Sequence, residues 1–501
     1  MTAPLDVLVV GAGPTGLALA TRLSAYDTPF RIVDRSPDRA RESRAPVVQP
    51  RTLEALAGHG VADDLVGRGS TTVRLRLHLR GRELHVPVFD VGCDDTPYPF
   101  LLFLPQSETE AVLTDRLAER DVRVERGTEL VGAEPAGGYV TCRLRRPDGV
   151  EETVRARYVV GCDGAHSTVR ALAGIAFEGY AYPRTFLLAD LEADGLEPGC
   201  AHTFMTAAGL LFFFPLGTPA TWRMIAMRPA GAPAEEVTLD LLQRIADDWT
   251  TGRVRLRDPV WTTSFRLHNR GATRYRKGPF FLAGDAAHIH SPAGGQGMNT
   301  GIQDALNLGW KLAHVCRGAA PEELLGTYEA ERAPVGRQVR RLTDRAFTVG
   351  TGSHPVLRLA RVHLAPRVAP LVLRVTGLRA RLFRAVSELA VHYRRSPAST
   401  TGPDRPRGGP RAGDRLPDLP RGLQRRTAGP GYHLLLTGPH HLWPQSPPVH
   451  ELVTVHRLVV DSPWPGVTHA LIRPDGHVGY VAGGTDLAGL RAYLARWLPG
   501  A

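Results

Sequence analysis

The chain has 501 residues, 43% of them hydrophobic, and a net charge of +11 from 61 Lys and Arg against 50 Asp and Glu. A chain this long buries large cores and divides into roughly two to four domains. The positive surplus is nearly all arginine, dispersed along the sequence, with lysine only at Lys277 and Lys311 and no basic run interleaved with aromatics, which argues against a nucleic-acid partner.

Five cysteines, Cys93, Cys142, Cys162, Cys200 and Cys316, are odd in number and widely spaced. That fits reduced thiols in a cytoplasmic protein, and neither a disulfide framework nor a zinc site. No apolar run reaches the roughly 18 residues of a membrane span. The chain enters a fold element at once, so no cleaved leader is expected.

Leu5 to Val10, LDVLVV, reads as a buried parallel strand. Gly11-Ala12-Gly13-Pro14-Thr15-Gly16 follows, and then a helical run through Leu17, Leu19, Ala20 and Leu23, so this G-x-G-x-x-G stands between strand and helix. Gly11 permits the tight turn, Gly13 admits a pyrophosphate, and Gly16 lets helix meet strand, with phosphate on the helix N-terminus. A second strand, Phe30 to Val33, ends at Asp34, where an acid binds a ribose hydroxyl. An NAD dehydrogenase would share all of this.

Arg51 starts an amphipathic helix bearing Leu53, Leu56 and Ala57. Val73 to Val88 alternates apolar and polar residues around Gly81, a hairpin with one wet face that interrupts the αβ pattern. Gln106 opens a helix, and residues 123–152 read as short meandering strands. In Tyr158 to Arg170, YVVGCDGAHSTVR, an apolar strand ends at Cys162-Asp163-Gly164 and Ser167 can cap a helix. From Phe177 to Leu267 strand-like runs dominate, with one helix from Val237 to Trp249. Phe204, Phe212, Phe214, Trp222 and Met224 are candidates for lining an aromatic pocket; plain sheet core is an equal reading for each.

Phe280 to Ala283 is a short buried strand that breaks at Gly284-Asp285, with the acid at its exposed end. A loop with Pro292, Gly294, Gly295 and Gly297 follows, and Asn299 and Thr300 offer N-caps to a helix carrying Ile302, Ala305, Leu306, Leu312 and Ala313. Such a helix end carries partial positive charge. His288 and His290 have no evident third metal ligand and read as loop residues. Helical patterns run from Leu324 to about Tyr393. Ser396 to Asp414, rich in Pro and Gly, reads as a linker. Beyond it lie strands, a turn at Pro474 to Gly476, and a final helix capped by Thr485 with Leu487, Leu490, Leu494 and Trp497 as its apolar stripe.

The run GDAAHIHSPAGGQGMNTGIQDALNLGWKL, with the Gly11 to Gly16 turn and YVVGCDGAHSTVR, resembles the flavin motifs of the FAD-dependent aromatic hydroxylases, the p-hydroxybenzoate hydroxylase-like monooxygenases, and among them the aromatic polyketide hydroxylases. The resemblance spans nearly the whole chain and is weakest between 340 and 410. It implies an α/β fold: a Rossmann-type FAD-binding domain (1–72, 101–176 and 271–395, with trailing helices) and an inserted antiparallel-sheet substrate domain (73–100 and 177–270). The linker 396–414 then leads to a thioredoxin-like C-terminal domain, 415–501, which here has no cysteine and so performs no thiol exchange.

The same resemblance implies non-covalent FAD held by Gly11, Gly13, Gly16, Asp34, Arg35, Arg44, Gln106, Leu130, Asp163, Gly164, Asp285, Gly295, Gly297, Met298 and Asn299. Pro292, Gly295, Gln296 and Gly297 would shape the flavin site, with Pro292 also reaching the substrate pocket. The Asp-Gly motif serves both FAD and nicotinamide, Ser167 and Arg170 match it, and His166 stands where an Arg is common. The expected partners are a small aromatic substrate, no membrane and no nucleic acid, with a homodimer compatible.

The implied mechanism is reduction of FAD by NADPH (or NADH), reaction with O2 to a flavin C4a-hydroperoxide, and hydroxylation of a phenolic ring. No side chain stands out as general base. Backbone amides from Gly295 to Asn299 are the candidates for stabilising the flavin anion. Baeyer–Villiger or antibiotic-inactivating oxygenation on this scaffold is the near alternative, and a non-catalytic FAD protein sequestering an aromatic metabolite the distant one; substrate-dependent oxygen consumption separates the last. A flavin halogenase is disfavoured, because TWRMIAM lacks the W-x-W-x-I-P pattern of that group.

Overall fold

The computed structural model describes residues 4–39, 45–79, 82–86, 93–206, 209–216, 220–228, 237–291, 294–352, scattered positions from 354 to 371, 375–445, 450–458 and 462–499. In the strand Leu5–Val10 the run Val7 to Val10 is continuously apolar and buried, as a strand flanked on both sides must be. It pairs in parallel with Glu151–Gly161 on one side and Phe30–Asp34 on the other. Phe280–Leu282 extends the sheet beyond Glu151–Gly161, and Glu125–Arg126 extends it beyond Phe30–Asp34, all parallel. The chain moves first to one side of Leu5–Val10 and later to the other. The order therefore reverses beside this strand, and a ligand crevice opens at its carboxyl end.

The helix Pro14–Ala25 crosses the helix Gly297–Cys316 closely, since a Cβ on Gly309 would lie 2.7 Å from the Arg22 Cγ. Glycine at that crossing keeps the two backbones near each other.

A second sheet runs in the order His288–Ile289, Arg255–Ala272, Phe177–Asp194, Trp222–Met227, Leu210–Pro215, Cys200–Met205, Arg74–Leu79, Arg82–Val86. It is antiparallel except that Cys200–Met205 and Arg74–Leu79 are parallel, which departs from the wholly antiparallel expectation. These two strands come from distant parts of the chain, so no tight turn fixes their relative direction.

A third sheet has the order Thr400–Thr401, Val478–Gly483, Thr468–Ile472, Tyr432–Thr437, Val453–Leu458. Residues 396–414 are therefore no free linker. Thr400–Thr401 joins the sheet edge, Ala398 and Ala412 are buried, and the Ser396 hydroxyl donates to Glu331 at 2.6 Å. Thr485 is not the cap of the last helix, Ala488–Trp497: Leu487 is its N-cap residue, and Asp486 accepts from the Ala488 N–H. The expected stripe of Leu487, Leu490, Leu494 and Trp497 is buried.

The third sheet inserts its turn Pro474-Asp475-Gly476 into the first unit. Arg22 donates to the Pro474 carbonyl and Arg51 to that of Asp475. Arg473 pairs with Glu331 at 2.6 Å and with Asp475 at 2.5 Å, Lys311 reaches Glu331 at 2.7 Å, and Asn307 donates to both acids. These side chains are buried, so the contact is a fixed part of the fold. Burial alone would raise the Glu331 carboxyl, but Arg473 and Lys311 hold it below the ordinary glutamate range. Among the described residues no helix is long and apolar enough to cross a membrane.

Candidate functional site

Three loops meet at the carboxyl ends of the central parallel strands. Gly11 donates to the Val33 carbonyl, Cys162 to that of Val10, and Ala283 to that of Gly161, so the glycine turn, the Asp-Gly loop and the Gly284-Asp285 loop sit side by side. Gly11 has φ +100°, and a Cβ there would be 2.4 Å from the Cys162 oxygen; a Cβ on Gly16 would be 1.9 Å from the Gly11 oxygen. Both positions demand glycine for the chain's own packing. Gly13 differs: a Cβ there would meet nothing within 4 Å, so the space beside it is left for something other than protein.

Two helix ends face this crevice bare. The helices Pro14–Ala25 and Gly297–Cys316 have no side-chain cap and no acid in the first turn, so their free N–H groups and positive ends are available to an anion. In contrast, Ser167 caps the helix Thr168–Leu172, as its sequence suggested. The second bare helix starts at Gly297, not at the expected Asn299 or Thr300 caps. The Asn299 side chain is spent elsewhere: it donates to the Val47 and Gly295 carbonyls and accepts from the Gln49 N–H. The Thr300 hydroxyl bonds Gln296 and Glu388. Asn299 thus offers a ligand its backbone, not its amide group.

Asp34 is partly committed. It accepts from the Ala12 N–H at 2.7 Å and the Ser36 N–H at 2.8 Å, fastening the glycine turn, with acceptor sites left over. Arg35 follows it on the surface, and the Thr128 N–H donates to the Asp34 carbonyl, which brings the strand containing Leu130 alongside; the Leu130 side chain itself is core. Gln106 begins its helix and donates to Glu110. Asp163 accepts from the Thr168 and Val169 N–H groups, its other oxygen has no partner among the described residues, and burial raises its pKa. Arg170 donates to the Ala286 and Ala165 carbonyls and lies over Phe177, so it buckles two loops together. Gly164, at φ +77°, has open space where a Cβ would be.

Asp285 is exposed at the strand end in the turn Gly284–Ala286, and Gly295, Gly297 and Met298 are half-buried around the bare helix end. Arg44 and Pro292 lie outside the described residues. His290 sits beside Gly297, its Nδ1–H donating to the Ser291 carbonyl; burial lowers its pKa to about 4, so the ring is neutral at physiological pH. Gln296 donates from its amide to the Ala385 and Val386 carbonyls.

Alternation sorts the aromatic candidates. Phe204, Trp222 and Met224 share one face of the second sheet and are buried in a core with Leu242, Ile245 and Trp249 of the helix Leu239–Thr250. Phe212 and Phe214 occupy the other face, stacked with centroids 5.8 Å apart, and Phe214 packs against a cluster containing Val47, which in turn lies beside Gly295. On this face Arg223 makes a bidentate pair with Asp190, leaving its third nitrogen without a partner among the described residues.

Sequence reasoning missed the groups beneath the loops. The Thr15 hydroxyl fills the space that a Cβ on Gly284 or Gly301 would take. Asp304 accepts from the Gly284 N–H, His288 and Arg332, and although burial opposes it, Arg332 and His288 hold its carboxyl below the usual range. Gln49 donates to the Gly294 carbonyl. No local pattern pairs residues this far apart in sequence.

The profile of the FAD binding domain family matches residues 4–343. The 6-methylpretetramide 4-monooxygenase of Streptomyces rimosus is 42% identical over 399 residues, covering 78% of this chain and 70% of that protein. The anhydrotetracycline monooxygenase of Streptomyces rimosus is 35% identical, covering 98% of each chain. Among solved structures, aklavinone-11 hydroxylase in ternary complex with FAD and aklavinone superposes with a TM-score of 0.80, at 26% identity and 99% coverage of both chains.

Proposed function

The chain belongs to the FAD binding domain family and is a flavoprotein monooxygenase; from that premise we propose that it hydroxylates an aromatic polyketide, using NADPH and O2. The pyrophosphate of FAD would lie on the glycine turn and the bare end of Pro14–Ala25, its ribose near Asp34, its ribityl chain near Asp285, and its ring at the bare end of Gly297–Cys316. When bound, FAD supplies oxygen activation with electrons from NADPH.

This chain's own residues do the rest. The N–H groups of Gly297, Met298 and Asn299 offer preorganised donors to negative charge on the ring. Phe212 and Phe214 present a flat apolar wall to an aromatic substrate and keep water away. The carrying observation is that juxtaposition: a stacked aromatic face linked through Val47 to the glycine loop of the bare helix. Incubation with NADPH and a panel of aromatic polyketides tests it. Oxygen uptake should depend on substrate, and the product should gain one oxygen atom; uptake independent of every substrate, with no oxygenated product, would refute the assignment.

The third sheet supports a thioredoxin-like reading. Its four long strands stand in the order second, first, third, fourth, with the first two parallel and the last two antiparallel, followed by a helix. Without cysteine it serves as structure.

A further inference from the structure

Glu388 is an odd residue to find where it is. It is 1% exposed and holds φ +60°, a left-handed conformation that glutamate rarely adopts. Its carboxyl accepts from the Thr300 hydroxyl at 2.6 Å and from the Gln303 amide, both on the bare-ended helix Gly297–Cys316. The last turn of the helix Thr376–Val386, which leads to it, also accepts from Gln296, through the Ala385 and Val386 carbonyls, and its C-cap Ser387 accepts from the Arg51 N–H. One short turn thus grips the residue before that helix, its first two turns, and the neighbouring helix Pro50–Ala57. The charged groups around Glu388 are Arg332, from the helix Glu323–Thr351, and Asp304; they pair with each other at 2.6 Å, so the arginine is shared. Among the described residues no cation makes an ion pair with Glu388 itself.

We propose that Glu388 is a positioning residue that fixes the end of the helix Gly297–Cys316 against the flavin ring, and whose charge sets how strongly that helix end attracts electrons into the ring. The proposal rests on the flavin reading above. Burial pushes the Glu388 carboxyl up to about 7, against the pull of Thr300 and Arg332, so the group changes charge across physiological pH. Ionised, it offsets the positive helix end and repels a reduced, anionic ring; protonated, it does neither.

The test is the midpoint potential of the bound flavin, measured on holoenzyme from pH 6 to 8. In the wild type it should fall with an extra downward bend near pH 7; in Glu388→Gln the bend should vanish and the potential at pH 8 should lie above that of the wild type. A purely structural role would change stability and leave the bend, and a bend retained in Glu388→Gln overturns the proposal. If that variant does not hold flavin, Thr300→Val serves: loss of a donor to the carboxylate should move the bend to higher pH, and an unmoved bend overturns the proposal. A wild-type protein that binds no flavin would instead sink the flavin reading, and this inference with it.

Discussion

The two glycines flanking Pro14 and Thr15 separate the demands of folding from those of binding. A methyl on Gly16 would strike the Gly11 carbonyl, whereas one on Gly13 would touch no protein atom. Gly16→Ala should therefore lose both fold and cofactor. Gly13→Ala should keep the circular dichroism of the wild-type apoprotein and still lose FAD in a fluorescence titration; unweakened binding would show that no pyrophosphate passes there. Asp285→Ala removes a charged acceptor at the strand end, worth about 1.5–3 kcal/mol, so the FAD Kd should rise roughly 10- to 100-fold. An unchanged Kd in the folded variant would remove Asp285 from the site. Glu388 has a signature in stability as well. Its folded pKa lies above the ordinary 4.5, at about 7, so the stability it contributes is full below 4.5, declines as pH rises between those values, and is gone above 7. In Glu388→Gln that part of the slope should flatten, as read from thermal midpoints at pH 5 and pH 8.

At the level of elements, the loop Gly294–Gly297 and its helix act together. Gly295 has φ +62°, and a Cβ there would lie 3.4 Å from Val47. Gly295→Val should force strain of order 1–3 kcal/mol into the loop and displace the strand Val47–Val48. The expected result is weak FAD binding, or NADPH oxidation that yields peroxide in place of product; wild-type reduction rate, peroxide yield and product yield together would show that the loop does not shape the site. This helix was legible in the sequence, but its start was not. Asn299 and Thr300 are good caps by type, and only the fold reveals that Val47, Gln49 and Glu388 claim their side chains. The strand and turn at Leu5–Gly16 could be read outright because every determinant is local. The aromatic residues could not be sorted, since Phe212, Phe214 and Trp222 look alike until strand register assigns them to faces.

At the scale of the molecule, the third sheet is held by charges buried out of water. Removing one member of such a cluster costs about 3–5 kcal/mol, because its partner is stranded. Arg473→Met should accordingly lower the thermal midpoint markedly, and a chain ending at Asp414 should not accumulate as soluble protein. A soluble truncate that still binds FAD would show the first unit to be self-sufficient. Depressed as it is, the Glu331 carboxyl contributes stability present above pH 4.5 and lost as the pH falls below that range. The composition of 396–414 suggested a tether; its buried alanines and its strand at Thr400–Thr401 show how poorly Pro and Gly content reports docking. The inserted turn also has a consequence in time. Ribosomes add about 5–20 residues per second, so the last strand of the nucleotide sheet, ending at Leu282, emerges about 190 residues and on the order of ten to forty seconds before Asp475. Glu331 emerges about 140 residues, or about 7–28 seconds, ahead of Arg473; for that long Lys311 and Glu331 wait without it, and the nascent chain carries an open ionic seam along the helix Gly297–Cys316.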